Sequence, residues 1–122
     1  MYVSSITATF AAAHFLRNYG GKCENLHGHN WRIEVQAECR ELDEAGMGLD
    51  FTFLRRETAK VLSSLDHTVL NELTTFGEQN PSSENIARHI FTELDGVVTG
   101  GRVKMCKVRV WESDTSWAEY RP

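Results

Sequence analysis

The sequence contains few cysteines, and their spacing does not suggest a disulfide framework. There are three in 122 residues, Cys23, Cys39 and Cys106, an odd number at unrelated separations. Small domains stabilised by disulfides carry larger and usually even sets of cysteines. The pattern argues against a disulfide-stabilised secreted domain, and we expect Cys39 and Cys106 to behave as buried apolar residues.

The chain also lacks long apolar runs and an excess of basic charge. No stretch approaches the roughly 20 apolar residues that a membrane-spanning helix needs, and residues 1–5 lack the basic and apolar regions of a secretory signal. The formal net charge is −4, and lysine and arginine are scattered along the chain, which gives no footprint for nucleic acid. We therefore expect a cytoplasmic protein that binds neither membranes nor nucleic acids.

The spacing of apolar residues predicts a single α+β domain over residues 1–122. Alternation with a period of two, or a high content of branched and aromatic residues, predicts four strands, over residues 2–15, 27–39, 103–112 and 116–121. Helical spacing predicts one helix over residues 51–65 and another after Ser83. We expect the order ββααββ and a four-stranded antiparallel sheet with both helices on one face. Oligomerisation is the usual protection for the remaining edges and face of such a sheet.

Three histidines fall at the ends of the first two predicted strands. His27 and His29 are two residues apart and therefore point to the same side of a strand. His14 ends the apolar face of the first strand, so pairing of the two strands would bring three imidazoles together. Three imidazoles with an open fourth position are typical of catalytic zinc. The alternatives are histidines that merely end two strands, or a structural site that Cys23 closes.

Cys23 precedes His27 by four residues and would lie beside such an ion. A nearby cation lowers the pKa of a thiol and would give a base or nucleophile at neutral pH. A fourth zinc ligand and an inert loop thiol are the competing interpretations. Arg17 and Lys22 could meet an anionic substrate close to the metal, although solvated loop charges would produce the same pattern.

Glu112 is predicted to end the apolar face of the third strand, because it shares the parity of Cys106, Val108 and Val110. A carboxylate there needs a partner. It could accept the two parallel N–H donors of an amino-pyrimidinone ring, or it could be a surface glutamate paired with a neighbouring cation.

Asp66 and His67 follow the first predicted helix directly in the sequence. The aspartate could orient or polarise the histidine if the two side chains make contact. Adjacency in the sequence does not ensure that contact, and two polar surface residues at a helix end are the alternative. His89 is predicted on the polar side of the second helix and is given no ligand role.

These residues together resemble the 6-pyruvoyl-tetrahydropterin synthase superfamily. The short Cys-x-x-x-His-Gly-His spacing is similar to that of its 6-carboxy-tetrahydropterin synthase branch. The resemblance covers nearly the whole chain and includes Ala-Ala-His at His14, Cys23 with His27-Gly28-His29, Leu49-Asp50-Phe51, Leu65-Asp66-His67, Asn80-Pro81-Ser82-Ser83-Glu84, and Glu112.

The resemblance implies a zinc enzyme of the tunnelling fold, in which sheets of several subunits join into a barrel, with a homohexamer of two stacked trimers. His14, His27 and His29 would hold the zinc, and Cys23 would be the proton-abstracting base. His67 and Asp66 would form a relay contributed by a neighbouring subunit. Glu112 would anchor the pterin ring and share in the relay, while Ser82, Ser83 and Glu84 match the segment that supports the ring.

The implied reaction is that of a carbon–carbon lyase. It converts 7,8-dihydroneopterin triphosphate to 6-carboxy-5,6,7,8-tetrahydropterin, with release of acetaldehyde and triphosphate, on the route to queuosine. The family often has threonine where this chain has Ser82 or Ser83, a change that keeps the hydroxyl. The alternatives are a 6-pyruvoyl-tetrahydropterin synthase that eliminates triphosphate, and a non-catalytic zinc or pterin binder.

Overall fold

The computed structural model describes residues 1–21 and 24–122. It contains strands β1 (Tyr2–His14), β2 (His27–Cys39), β3 (Thr68–Val69), β4 (Val103–Trp111) and β5 (Trp117–Tyr120), helices α1 (Phe51–Ser63) and α2 (Ser83–Val98), and single 3₁₀ turns at Leu70–Glu72 and Thr74–Phe76. The α+β class and both helices are therefore as predicted. No helix within the described residues is long and apolar enough to cross a membrane.

The sheet has five strands in the order β3-β1-β2-β4-β5, and it is mixed rather than antiparallel. The added strand, β3, runs parallel to β1 and pairs at Ala12↔Thr68 and Ala13↔Val69. The four predicted strands are present as β1, β2, β4 and β5 and pair antiparallel. The prediction of a purely antiparallel sheet of four strands is wrong, because it lacks the parallel strand β3. Two residues are too few to show a period of two. This strand forms because the chain leaving α1 is drawn along β1, where the His67 N–H donates to the Ala11 carbonyl at 2.6 Å.

One hydrophobic core lies between the sheet and the two helices. The register of β1 and β2 pairs Ile6 with Val35 and Phe10 with Trp31, so the apolar sides of both strands face the same way. These residues form one cluster with buried residues of both helices, which include Leu54 and Ile90. Each fully buried side chain of this type contributes about 1.5–3 kcal/mol. Both helices therefore cover one face of the sheet, as predicted.

Local capping fixes where the helices begin. The Asp50 side chain accepts a hydrogen bond from the Thr52 N–H at the start of α1, and the Ser82 side chain accepts one from the Asn85 N–H at the start of α2. The first helix ends at Ser63, two residues before the predicted end. The longer prediction arose because Leu65 is buried with the helical residues, although it lies in the following turn.

A β-bulge interrupts the pairing of β2 with β4. Gln36 pairs with Lys107 and Ala37 with Met105, which leaves Cys106 without a partner in the ladder. The bulge changes the alternation of the strand, so Met105 is fully buried and Cys106 only half-buried. The prediction of burial is confirmed for Cys39 and wrong for Cys106. Burial and the nearby charge of Glu38 raise the pKa of the Cys106 thiol.

Candidate metal centre

The pairing of β1 with β2 brings three histidines together. His14 lies directly opposite His27, and Ala12 lies opposite His29, so all three imidazoles project from the helix-covered side at one end of the hairpin. Their ring centroids are 4.5 Å apart for His14 and His27, 5.2 Å for His14 and His29, and 4.8 Å for His27 and His29. Three ring nitrogens can therefore approach one ion.

Glu112 joins the three histidines. It follows the last residue of β4, and one candidate ligand atom from each of the four residues lies within 4.8 Å of the others. Its Oε1 atom is 3.5 Å from Nε2 of His14 and 3.1 Å from Nε2 of His29. From the sequence, we expected three histidines to hold a metal ion with an open fourth position, and Glu112 to bind the substrate. The structure shows that this carboxylate also belongs to the possible ligand group.

Backbone carbonyls fix the orientation of two of the imidazoles. His14 Nδ1 lies 2.7 Å from the Pro81 carbonyl oxygen, and His27 Nδ1 lies 2.6 Å from that of Asn25. A carbonyl oxygen only accepts, so each Nδ1 carries the proton and donates. The lone pair of each ring is then on Nε2. Partners of this kind orient the histidines of metal sites, but a backbone carbonyl leaves no signal in the sequence by which it could have been found.

The donor set fits a metal ion. The Nε2 atoms of His14 and His29 are buried, and neither makes a hydrogen bond of acceptable geometry within the described residues, despite the short distance between His29 and Glu112. A buried acceptor without a partner costs free energy. Coordination would satisfy both atoms, and a set of imidazole nitrogens with a carboxylate is suited to zinc.

The protonation states also favour coordination. Burial lowers the pKa of His14, which is 1% exposed, although its bond to Pro81 and the charge of Glu112 oppose the shift. Burial likewise lowers the pKa of His29, again against the charge of Glu112. The neutral imidazole is the form that binds metal. Both rings are therefore held in the ligating form at neutral pH.

A cavity of about 310 Å³ opens beside His14. Its walls include Ser82, Ser83, Glu84 and Glu112, which are the four residues that the resemblance assigned to pterin binding. Tyr19, Leu16 and Trp117 line the same cavity and were not singled out from the sequence. The start of α2 and the loop after β4 thus form one concave surface next to the metal group.

Asp66 and His67 are in contact, but they are not part of the metal group. The His67 Nδ1 atom is 2.9 Å from Asp66 Oδ2, and the other carboxylate oxygen accepts from the Ala11 N–H at 2.9 Å. The bond from Ala11, followed by that from His67, lowers the pKa of Asp66. The His67 side chain is 80% exposed. The backbone of His67 is in the left-handed region, with a φ of 57°. The pair is thus fixed to β1 and directed outward.

Two predicted residues, Lys22 and Cys23, lie outside the described residues. Arg17, the other candidate for an anionic substrate, has a different role in the structure. Its guanidinium donates to the backbone carbonyls of Asn71, Phe76 and Gln79 at 3.3, 2.8 and 3.3 Å. Arg17 therefore holds residues 71–79 against the end of β1, and it is neither a solvated charge nor a cation directed at the cavity.

The chain is similar, over nearly its whole length, to proteins named as tetrahydropterin synthases. The family model described as 6-pyruvoyl tetrahydropterin synthase matches residues 4–122. A protein of Archaeoglobus fulgidus, named putative 6-carboxy-5,6,7,8-tetrahydropterin synthase, is 39% identical over 98% of this chain and 95% of its own length. A Synechocystis protein named 6-carboxy-5,6,7,8-tetrahydropterin synthase is 37% identical over 92% and 87%. The structure of Caenorhabditis elegans 6-pyruvoyl tetrahydropterin synthase superposes with a TM-score of 0.87 at 29% identity, covering 99% of this chain and 95% of that one.

Proposed function

This chain belongs to the 6-pyruvoyl tetrahydropterin synthase family, and we propose that it acts as a 6-carboxy-5,6,7,8-tetrahydropterin synthase. Its substrate would be 7,8-dihydroneopterin triphosphate, converted in the cytoplasm to 6-carboxy-5,6,7,8-tetrahydropterin, acetaldehyde and triphosphate for queuosine biosynthesis. One observation carries the proposal. The possible ligand group of His14, His27, His29 and Glu112 adjoins a cavity lined by Ser82, Ser83 and Glu84.

His14, His27 and His29 would hold a zinc ion through their Nε2 atoms. The two orphaned nitrogens of His14 and His29 support this assignment, as does the Nδ1 bond of His27. When bound, the ion supplies a Lewis acid that polarises a hydroxyl or carbonyl of the substrate side chain. The histidines themselves would act as ligands rather than as bases.

Glu112 would bind the pterin ring. A carboxylate accepts two parallel N–H donors, and the ring N–H and exocyclic amine of a pterin offer that pair. The Glu112 side chain is 36% exposed and lines the cavity, so it can turn toward a ligand there. The hydroxyls of Ser82 and Ser83 and the carboxylate of Glu84 provide further polar groups around the same space.

Cys23 would remove the proton from the substrate carbon, and His67 would take it on. The position of Cys23 four residues before His27 supports the first role. For the second, Asp66 accepts from Nδ1 of His67, which leaves Nε2 to receive a proton and a carboxylate to stabilise the imidazolium. Because His67 is 80% exposed and is not part of the metal group, the relay would come from a neighbouring subunit.

A shared site requires an oligomer, and we propose the tunnelling fold in a homohexamer of two stacked trimers. Within the described residues, β1 pairs along its outer edge only through Ala12 and Ala13, and β5 forms the opposite edge of the sheet. Long unpaired edges are protected in natural proteins. Pairing between the edges of neighbouring copies would protect both and join the sheets into a barrel.

The second candidate is a 6-pyruvoyl-tetrahydropterin synthase, which eliminates triphosphate. The similarity to the Caenorhabditis elegans structure favours it, because that protein bears this name. Incubation of the purified, zinc-loaded chain with 7,8-dihydroneopterin triphosphate, with products identified by mass, separates the two. A carboxy product with acetaldehyde supports the first function and a pyruvoyl product the second. No turnover by the zinc-loaded chain would indicate a non-catalytic zinc or pterin binder.

A further inference from the structure

Two asparagine side chains fasten the chain that leaves β1 after His14. Asn80 accepts from the Arg17 N–H at 2.8 Å and donates to the Arg17 carbonyl at 3.1 Å. Asn71 makes the same pair of bonds with Phe15, both at 2.9 Å. Each side-chain amide therefore satisfies both backbone groups of one residue, as a neighbouring strand would.

Asn80 differs from Asn71 because it is also tied to the start of α2. Its backbone carbonyl accepts from the Asn85 side chain at 2.8 Å, and the Asn85 N–H donates to the Ser82 hydroxyl at 3.2 Å. Residues 80–82 are thus bonded on one side to the end of β1 and on the other to the first turn of α2. Pro81 lies between these two attachments and is buried.

The carbonyl of Pro81 is the group that meets His14. It accepts from Nδ1 at 2.7 Å, across 67 positions of the chain. Proline has no N–H of its own and a fixed φ, so the direction of its carbonyl depends on the placement of its neighbours. His27 differs here, because its Nδ1 partner is the carbonyl of Asn25, two residues away in its own loop. Of these two Nδ1 bonds, the one from His14 therefore depends on a distant segment and the one from His27 does not.

We propose that Asn80 is a positioning residue for the metal centre. By holding Arg17 with both atoms of its amide, it keeps the Pro81 carbonyl against Nδ1 of His14. The hydrogen bond from His14 to the Pro81 carbonyl stabilises the His14 tautomer that has its lone pair on Nε2. The same attachment sets the start of α2, where Ser82 and Ser83 line the cavity. The inference rests on the proposed zinc site, and it predicts that Asn80 supports zinc binding without contacting the ion.

The test combines histidine tautomers with zinc affinity. Nitrogen-15 NMR of the metal-free wild-type chain should show Nδ1–H tautomers for His14 and His27. In the Asn80→Ala variant, His14 should no longer be held in one tautomer, whereas the tautomer of His27 should not change. Its zinc affinity, measured by competition with a chromophoric chelator, should fall about tenfold or more, as for other partners of ligating histidines. Asn71→Ala is the matched control, and it should lower stability while keeping the His14 tautomer and the zinc affinity.

Asn80→Asp provides a second variant that keeps the acceptor for the Arg17 N–H but lacks the donor for its carbonyl. We expect it to fold and to shift the His14 tautomer and the zinc affinity in the same direction as Asn80→Ala. An Nε2–H tautomer at His14 in the wild-type chain would overturn the inference. Wild-type zinc affinity in both Asn80 variants would overturn it too while leaving the zinc site standing, whereas a wild-type chain without zinc affinity would refute the proposed function as well.

Discussion

Nε2 of His29 lies 3.1 Å from Oε1 of Glu112, although His29 is on β2 and Glu112 follows β4, far away in the sequence. The contact exists because β4 runs antiparallel to β2, with Trp111 opposite Arg32, so that the end of one strand lies beside the start of the other. The metal group therefore contains a carboxylate as well as three imidazoles. A carboxylate would offset part of the charge of a bound divalent cation.

The histidine ligands can be tested by substitution. We expect His27→Ala combined with His29→Ala to remove zinc and activity while leaving the fold largely intact, because the core cluster contains neither residue. Metal analysis and circular dichroism would measure the two effects. His67→Ala is the matched control and should retain zinc, since His67 lies outside the ligand group. Full zinc occupancy in the double variant would exclude the assignment.

Glu112→Gln separates ring binding from metal binding. Glutamine keeps the shape of the side chain but exchanges one acceptor for a donor that would oppose a ring N–H. We expect pterin affinity to fall by about 2 kcal/mol or more, with zinc retained by the three histidines. Calorimetric titration with a pterin and metal analysis give both quantities. Unchanged pterin affinity would make Glu112 a surface charge, and loss of zinc would make it a ligand.

Cys23 and His67 provide a test of the shared site. Cys23→Ala and His67→Ala should each retain zinc and lose turnover, because each removes one step of proton transfer. When the two inactive chains are mixed and reassembled, some interfaces contain both intact groups, and partial activity should return. Light scattering reports the oligomer. A fully active monomer, or no recovery after proven subunit exchange, would contradict the relay. Loss of zinc in Cys23→Ala would make the thiol a ligand.

His14 is buried and His29 is partly buried, and both predict how the stability of the metal-free protein depends on pH. Burial lowers the pKa of His14 and His29 below the ordinary 6.5. Below that pH the unfolded chain binds more protons than the folded chain, so protonation favours unfolding. We expect the free energy of unfolding to have its full value above pH 6.5 and to decrease as the pH is lowered below that value. Urea unfolding of the chelator-treated protein between pH 8 and pH 5 measures it. Constant stability across pH 6.5 would contradict the lowered pKa of these two rings.

Periodicity predicted much of the fold and the histidine part of the site. Strand alternation was sufficient to place His14, His27 and His29 on one face, because the period of two holds along the whole hairpin. It could not place Glu112 beside them, since that contact depends on which strands are neighbours in the sheet. It also could not reveal the carbonyl of Pro81, because every residue has one and its use depends on tertiary structure.

The extra residue at Cys106 has a consequence for the opposite end of its strand. Met105 packs in the core, and Val108 and Val110 do so from the other parity, which Glu112 shares. Met105 and Glu112 are an odd number of positions apart, so a regular strand of the same length would keep either Met105 inside or Glu112 beside the histidines, but not both. The bulge thus shifts the alternation of the strand by one residue, so that Met105 can pack in the core while Glu112 lies beside the histidines. Regular pairing of the same residues with Met105 inside would leave the composition of the site intact and yet separate its carboxylate from its imidazoles.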